Sequence, residues 1–192
     1  MQLSISSLAL LCAFPLVCGI FDILIIDVPN GGRWGAWGPT EMCPIGYVAK
    51  GFSVKVSEPA PLKLLGPVLG YIRAIGGLKG KTHIEEQQEA LFGKWSRPIW
   101  CLCGHLIAFS LKVEPLQGGG DDTAVNNIRF KCSDSRELEG PGLNWGPYGP
   151  WSQSCHYGIC GIKTRVEEKQ GGLDDTGLND AQLFCCSNNS TD

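Results

Sequence analysis

GGGDDTAVNNIRFKC, Gly118 to Cys132, returns as GGLDDTGLNDAQLFC, Gly171 to Cys185, at an offset of 171 − 118 = 53 residues. Seven of the fifteen positions are identical. A long stretch repeated at a fixed offset of this size marks a supersecondary unit used more than once. Both copies share one internal order: a Gly-rich turn, Asp-Asp-Thr, an alternating apolar segment and a closing cysteine. The fold is therefore read from the repeat, and no catalytic motif competes with it.

Working outward, three segments alternate with the period of two that a half-buried strand shows: Phe52, Val54, Val56; Ile107, Phe109, Leu111, Val113; and Ile162, Thr164, Val166. They superpose with offsets of 109 − 52 = 57 and 162 − 109 = 53. Lys55, Lys112 and Arg165 then share one position on the polar side of each strand, where a solvated outer surface is expected. Ahead of each strand stands a Trp and Gly cluster leading to a cysteine. These run from Gly31 to Trp37 before Cys43, from Phe92 through Trp100 before Cys101, and from Trp145 to Trp151 before Cys155, and together they hold all six Trp residues. Indoles in such clusters pack sheet ends or stack on sugar rings, while the glycines supply tight turns.

Each unit thus reads as an aromatic-Gly turn, a cysteine, a strand, a Gly-rich turn with Asp-Asp-Thr, a second strand and a cysteine. Convincing amphipathic helices are absent from the pattern. Three units, about 30–80, 81–138 and 139–186, fill residues 20–192 and leave a short C-terminal tail. This predicts an all-β single domain of three small antiparallel sheets that share one interior by pseudo-threefold symmetry.

Residues 1–19 carry no charge and are apolar from Leu8 to Val17, with small residues near Gly19, so they are expected to be a signal peptide removed before Ile20. The run is shorter than the ~20 residues that span a bilayer, and Pro15 interrupts it. No membrane insertion is expected from it or from any later stretch. Removing it leaves Cys43, Cys101, Cys103, Cys132, Cys155, Cys160, Cys185 and Cys186, an even number that reads as disulfides in an exported chain. Asn188 and Asn189 each open an N-glycosylation triplet. A net charge of −3 supplies no basic field for nucleic acid or an anionic membrane.

The clusters WGAW, GKWSRPIWC and WGPYGPW, the strands GFSVKV and AFSLKVEP, the two Asp-Asp-Thr units and the closing FCC closely resemble the vitelline membrane outer layer protein 1 family. The likeness covers nearly all of the chain after the signal segment. It implies a secreted β-prism: three four-stranded Greek-key sheets around a pseudo-threefold axis, with a cleft at one end. It also implies extracellular matrix or egg-coat partners and a link to N-acetylglucosamine oligosaccharides, including a transfer activity. The first unit departs from the pattern. Residues 61–77, PLKLLGPVLGYIRAIGG, stand where an Asp-Asp-Thr stretch belongs, and Gly76 stands where the second unit has Cys132. Either this copy has diverged, with Cys43 pairing to Cys103, or the segment arises from an alternative reading frame.

Candidate chemistry is sparse. Asp121, Asp122, Asp174 and Asp175 could furnish the acid pair of a glycosidase or a transferase, or oxygen ligands for calcium. Their repetition favours turn chemistry, in which a carboxylate accepts backbone N–H groups, and Asn126 and Asn179 are read the same way. His83, His105 and His156 lack metal spacing, so no metal and no cofactor is expected. The repeat pairs Cys101 with Cys132 and Cys155 with Cys185 as disulfides, each contributing about 3 kcal/mol. Cys160 and Cys186 are then the remaining adjacent pair. Three functions follow in order: a structural or interaction protein of an extracellular coat or fluid; a glycan-binding protein with Trp37, Trp95 or Trp151 at the rim of a cleft; and a weak glycosyl-transfer enzyme. An enzyme should show acids in one unit that the others lack, and here two units match.

Overall fold

The computed structural model describes residues 23–56, 69–78, 81–83, 94–115, 125–167 and 177–187. The expected signal segment lies outside them, as do Asp121, Asp122, Asp174, Asp175, Asn188 and Asn189. The described residues contain strands and no α-helix, so none has the long apolar helix that crosses a membrane. In chain order the strands are β1 (Ile25–Ile26), β2 (Ala36–Trp37), β3 (Glu41–Met42), β4 (Ala49–Val56), β5 (Leu69–Leu78), β6 (Lys81–His83) and β7 (Lys94–Trp95). Then come β8 (Ile99–Trp100), β9 (Leu106–Val113), β10 (Val125–Cys132), β11 (Glu137–Glu139), β12 (Ile159–Val166) and β13 (Leu178–Cys185).

The alternating segments and the repeat itself form three antiparallel hairpins, β4–β5, β9–β10 and β12–β13. Each hairpin breaks register at both ends in the same places. The breaks are between Ala49 and Gly51 and between Lys55 and Val56; between Val125 and Asn127 and between Lys131 and Cys132; and between Ile159 and Gly161 and between Arg165 and Val166. An extra residue at such a bulge bends its strand and sharpens the right-handed twist. Three curved hairpins can then wrap one interior. The result is a β-prism.

Sheet order is β6-β5-β4 with β7 and β8 along β4, β11-β10-β9 with a bridge from Lys112 to Tyr148, and β1-β13-β12 with β2 and β3 along β12. The sheets do not coincide with the sequence units. The first two hairpins take their outer edge from the aromatic-Gly cluster that follows them, and the third takes it from the cluster near the N-terminus.

One apolar cluster joins all three sheets: Phe52, Val54, Phe109, Leu111, Ile128, Phe130, Ile162 and Leu183 belong to it. The Phe130 ring lies 4.7 Å from that of Phe52 and 6.4 Å from that of Phe109, across sheet boundaries and within its own hairpin. Burial also exceeds what alternation predicts. Ser53 and Ser110 are fully buried, because the cluster strands lie along their side of the hairpin and Ser110 Oγ donates to the Gly149 carbonyl at 2.8 Å. Phe130→Ala removes a ring that bridges two sheets and should cost about 3–5 kcal/mol. Urea denaturation of the two proteins measures this, and a loss under about 1 kcal/mol would mean that the ring does not hold the sheets together.

Candidate functional site

The repeated cations and the repeated aromatics turn out to be one feature. Register places Arg165 opposite Trp37, Lys55 opposite Trp95 and Lys112 opposite Tyr148. The cations were expected on a solvated surface. Lys55 is instead only 6% exposed, and Lys112 and Arg165 are half-buried. Register sets an aromatic residue of the neighbouring cluster opposite each, and on two of the sheets its ring lies over the cation: Arg165 and Lys163 lie 5.5 and 5.6 Å from the Trp37 ring, and Lys112 lies 5.2 Å from that of Tyr148. A cation at such a distance from a ring centroid is attracted by the ring quadrupole, more strongly as water is excluded.

This bears directly on the three residues expected to bind glycan. Trp37 and Trp151 have cations on their rings, and Trp37, Trp95 and Trp151 are all half-buried. Trp151 is also not the repeat partner of Trp37 and Trp95; Tyr148 is. On the β9–β10 sheet the stack is deepest. The Arg129 guanidinium sits 4.3 Å from the Tyr148 ring and 4.4 Å from the Trp151 ring, and Lys131 lies 4.5 Å from Trp151. The Tyr148 hydroxyl donates to Glu139 Oε1 at 2.9 Å, and burial together with that carboxylate pushes its ionisation well above the ordinary phenol range.

Among the described residues the two most exposed indoles are others. Trp34 is 57% exposed and Trp145 is 61% exposed, and each stands three residues before a covered ring, Trp37 or Tyr148. Each is followed by a glycine with positive φ, Gly35 at 81° and Gly146 at 75°. A Cβ at either glycine would strike the carbonyl of Val166 or Val113, so only glycine lets the turn approach the strand end. The signal was present in the sequence as Trp34-Gly35-Ala36-Trp37, Phe92-Gly93-Lys94-Trp95 and Trp145-Gly146-Pro147-Tyr148, an aromatic-Gly-x-aromatic motif in all three units.

Of the expected polar residues, Asn126 and Asn179 are placed differently from the turn position read for them. Both are fully buried bulge residues in β10 and β13, and their carbonyls accept the N–H groups of Leu143 and Gly32 at 2.7 and 2.6 Å. Among the described residues no group of three or more His, Cys, Asp or Glu side chains is arranged to hold a metal ion. Asp180 pairs across from Arg165 and packs against Gly31. Burial raises its pKa from 3.8 to about 6 against the pull of Arg165, and Asp27 adds to the rise.

The family model for vitelline membrane outer layer protein I matches residues 24–188. The chain belongs to that family. It is 51% identical over 167 residues to the mouse (Mus musculus) vitelline membrane outer layer protein 1 homolog, covering 85% of this chain and 83% of the relative. With the human (Homo sapiens) homolog the figures are 49% over 166 residues, 84% and 82%. Among solved structures it is similar to frutapin, a lectin from Artocarpus incisa, with a TM-score of 0.51 at 15% identity over 81% of this chain and 93% of that one. At that identity the likeness concerns the fold alone.

Among the described residues the cysteines divide into two groups. Disulfides join Cys101 to Cys132 and Cys155 to Cys185, with Cα atoms 5.8 and 5.2 Å apart. Cys43, Cys103, Cys160 and Cys186 are thiols. Cys160 and Cys186, expected as a third bridge, are thiols here that donate to the Phe184 and Tyr47 carbonyls at 3.7 and 4.0 Å. Cys103 is elsewhere: it is exposed, and its N–H donates to Asp134 Oδ2 at 3.1 Å. The expected alternative of Cys43 with Cys103 is not formed, because pairing of β3 with β12 carries Cys43 to Cys160.

The Asp180 carboxyl yields a pH prediction. An acid that ionises less readily folded than unfolded costs stability once charged, so its cost is absent below pH 4 and complete above about 6. Asp180→Asn keeps the Oδ1 acceptor used by the Ala181 N–H and removes the charge. The variant should melt higher than the parent at pH 7–8, with the gain fading as pH falls through 6 to 4. Thermal scans across that range decide, and a gain independent of pH would refute the assignment.

Proposed function

We propose that the chain is a secreted structural or interaction protein of an extracellular coat or fluid, acting through stable burial and surface contacts without turnover. The observation that carries this reading is the repetition of a cation opposite an aromatic at one register position in all three sheets, with the cation on the ring at Arg165 and Lys112. A reaction centre needs its charged groups once, in a place unlike the others, whereas these groups recur and are spent on each other. Family membership supports it, since the mouse and human relatives are named for the outer layer of the vitelline membrane. Extracellular matrix or egg-coat proteins are the partners that fit. Export is supported by the uncharged first nineteen residues and by two disulfides. Expression in a eukaryotic secretory host should deliver the protein to the medium with Ile20 as its first residue, as read by N-terminal sequencing; retention in the cell would count against the reading.

A second reading, glycan binding, is favoured by Trp34 and Trp145. Two exposed indoles at the same repeat position, each held by a turn that only glycine permits, are platforms on which sugar rings can stack. They replace Trp37, Trp95 and Trp151 as the residues to test. Isothermal titration with N-acetylglucosamine oligomers should give saturable heat without new chain lengths in the mixture. Trp34→Ala combined with Trp145→Ala should weaken binding at least tenfold, about 1.4 kcal/mol, while Trp37→Ala should lower stability first. Heat unaffected by the double variant would remove this site, and new chain lengths would make the protein an enzyme.

A further inference from the structure

Three of the described cysteines outside the two disulfides lie together. Pairing of β3 with β12 sets Met42 opposite Gly161 and Glu41 opposite Ile162. One step further along the same antiparallel register Cys43 faces Cys160, and the Cys43 N–H donates to the Cys160 carbonyl at 2.7 Å. Directly opposed residues of an antiparallel pair have Cα atoms about 4.5–5.5 Å apart, inside the range of about 4.4–6.8 Å that a disulfide requires. On its other side, near the end of β13, lies Cys186, whose N–H donates to the Gly158 carbonyl at 2.9 Å; the Cys160 thiol donates to the Phe184 carbonyl at 3.7 Å, the Cys186 thiol to the Tyr47 carbonyl at 4.0 Å, and each cysteine shifts the ionisation of the other. Cys160 therefore neighbours two cysteines that come from opposite ends of the chain. All three cysteines are partly exposed. They do not converge as metal ligands would.

We propose that Cys43, Cys160 and Cys186 form a thiol–disulfide exchange site in which Cys160 is the shared sulfur, bonded in turn to Cys186 and to Cys43. The partner is a small disulfide of the oxidised-glutathione class. The Cys186 thiolate attacks one sulfur of that disulfide and releases one glutathione thiolate. The Cys160 thiol, its proton passing to solvent, then attacks Cys186 Sγ and displaces the second. One protein disulfide has formed and one glutathione disulfide has been reduced to two thiols. Exchange follows without further oxidation: the Cys43 thiolate attacks Cys160 Sγ, the Cys160–Cys186 bond breaks, and its electron pair leaves on Cys186.

The reactivities suit this order. The interaction with the neighbouring Cys160 thiol pulls the Cys186 pKa down, which favours it as the first attacker, whereas burial pushes Cys43 up to about 11. Attack by Cys43 should therefore quicken about tenfold per pH unit between pH 7 and 9, following its thiolate fraction. The geometric consequence is that the mobile bond either links β12 to the end of β13 or ties the N-terminal cluster to β12. Which sulfur stays a thiol changes with it.

The test uses the full chain equilibrated in a glutathione redox buffer, quenched with acid, alkylated with N-ethylmaleimide, digested and mapped by mass spectrometry. Wild type should contain both Cys160–Cys186 and Cys43–Cys160 peptides, with Cys43 and Cys186 alkylated in complementary amounts. Cys186→Ser should leave only Cys43–Cys160, Cys43→Ser only Cys160–Cys186, and Cys160→Ser should leave both other thiols alkylated. The Cys101–Cys132 and Cys155–Cys185 peptides in the same digest report that each variant has folded. A single pairing in wild type, or alkylation of both Cys43 and Cys160 in folded Cys186→Ser, would overturn the proposal.

Discussion

Arg165 reaches across 130 residues of sequence to donate from Nε to the Gly35 carbonyl at 3.3 Å, and its guanidinium lies near the ring of Trp37. These contacts close the prism. Every hairpin has an outer strand that lacks a partner until an aromatic-Gly cluster lies along it, and an open strand edge is a template for unwanted pairing. For the first two hairpins the cluster comes next in the chain. For the third it comes from the N-terminus, so the last strands made are completed by the first. The three sheets then depend on one another: the interior that Phe52, Phe109 and Phe130 share cannot be sealed until the chain ends have met. Asn30, just before the N-terminal cluster, adds a tie to a second sheet by donating from Nδ2 to the Leu111 carbonyl at 2.9 Å.

The chemistry of closure explains the position of the cations. An edge strand two residues long contributes few ladder hydrogen bonds, and β2 and β7 are that short. A ring laid over a lysine or arginine stem adds dispersion and quadrupole attraction where the ladder is thin. The same ring shields the charge, and Lys112 and Arg165 are accordingly half-buried. Arg129 extends the idea from a pair to a layer, with its planar guanidinium between two aromatic rings. Arginine suits that place because its charge is spread over a flat group that stacks.

Much of this architecture was legible in the sequence. The repeat gave the hairpins, the period of two gave their buried faces, and the spacing of Cys101 to Cys132 and of Cys155 to Cys185 marked two cysteine pairs at equivalent positions. The phase between units and sheets was not legible. Edges as short as Ala36–Trp37 or Lys94–Trp95 carry no periodicity, so nothing in the sequence says which hairpin they will join. Lys55, Lys112 and Arg165 looked solvated because composition records a charge and omits its cover. Trp151 looked like the third copy of Trp37 because it is a tryptophan, whereas register assigns that place to Tyr148. Asn126 and Asn179 sit next to turn-forming residues in sequence, yet the bulges turn them inward. The open rings, Trp34 and Trp145, were encoded in the aromatic-Gly-x-aromatic motif and needed exposure to be told apart from their covered neighbours.

The divergent first unit has a structural consequence that follows from register alone. Gly76 lies opposite Ala49 just as Cys132 lies opposite Leu106 and Cys185 opposite Ile159. Cys132 and Cys185 each close a disulfide to the cysteine that ends an aromatic-Gly cluster, and Cys43 occupies the same place relative to the first cluster. With glycine at position 76 that bond has no second sulfur. The backbone pairing is unchanged by the loss, because β3 is still held along β12 by main-chain bonds, and so Cys43 is delivered to the third sheet as a thiol. There it meets Cys160, which already faces Cys186. A missing sulfur in one unit is thereby felt in another, and the route is the closure of the prism by its own N-terminal cluster.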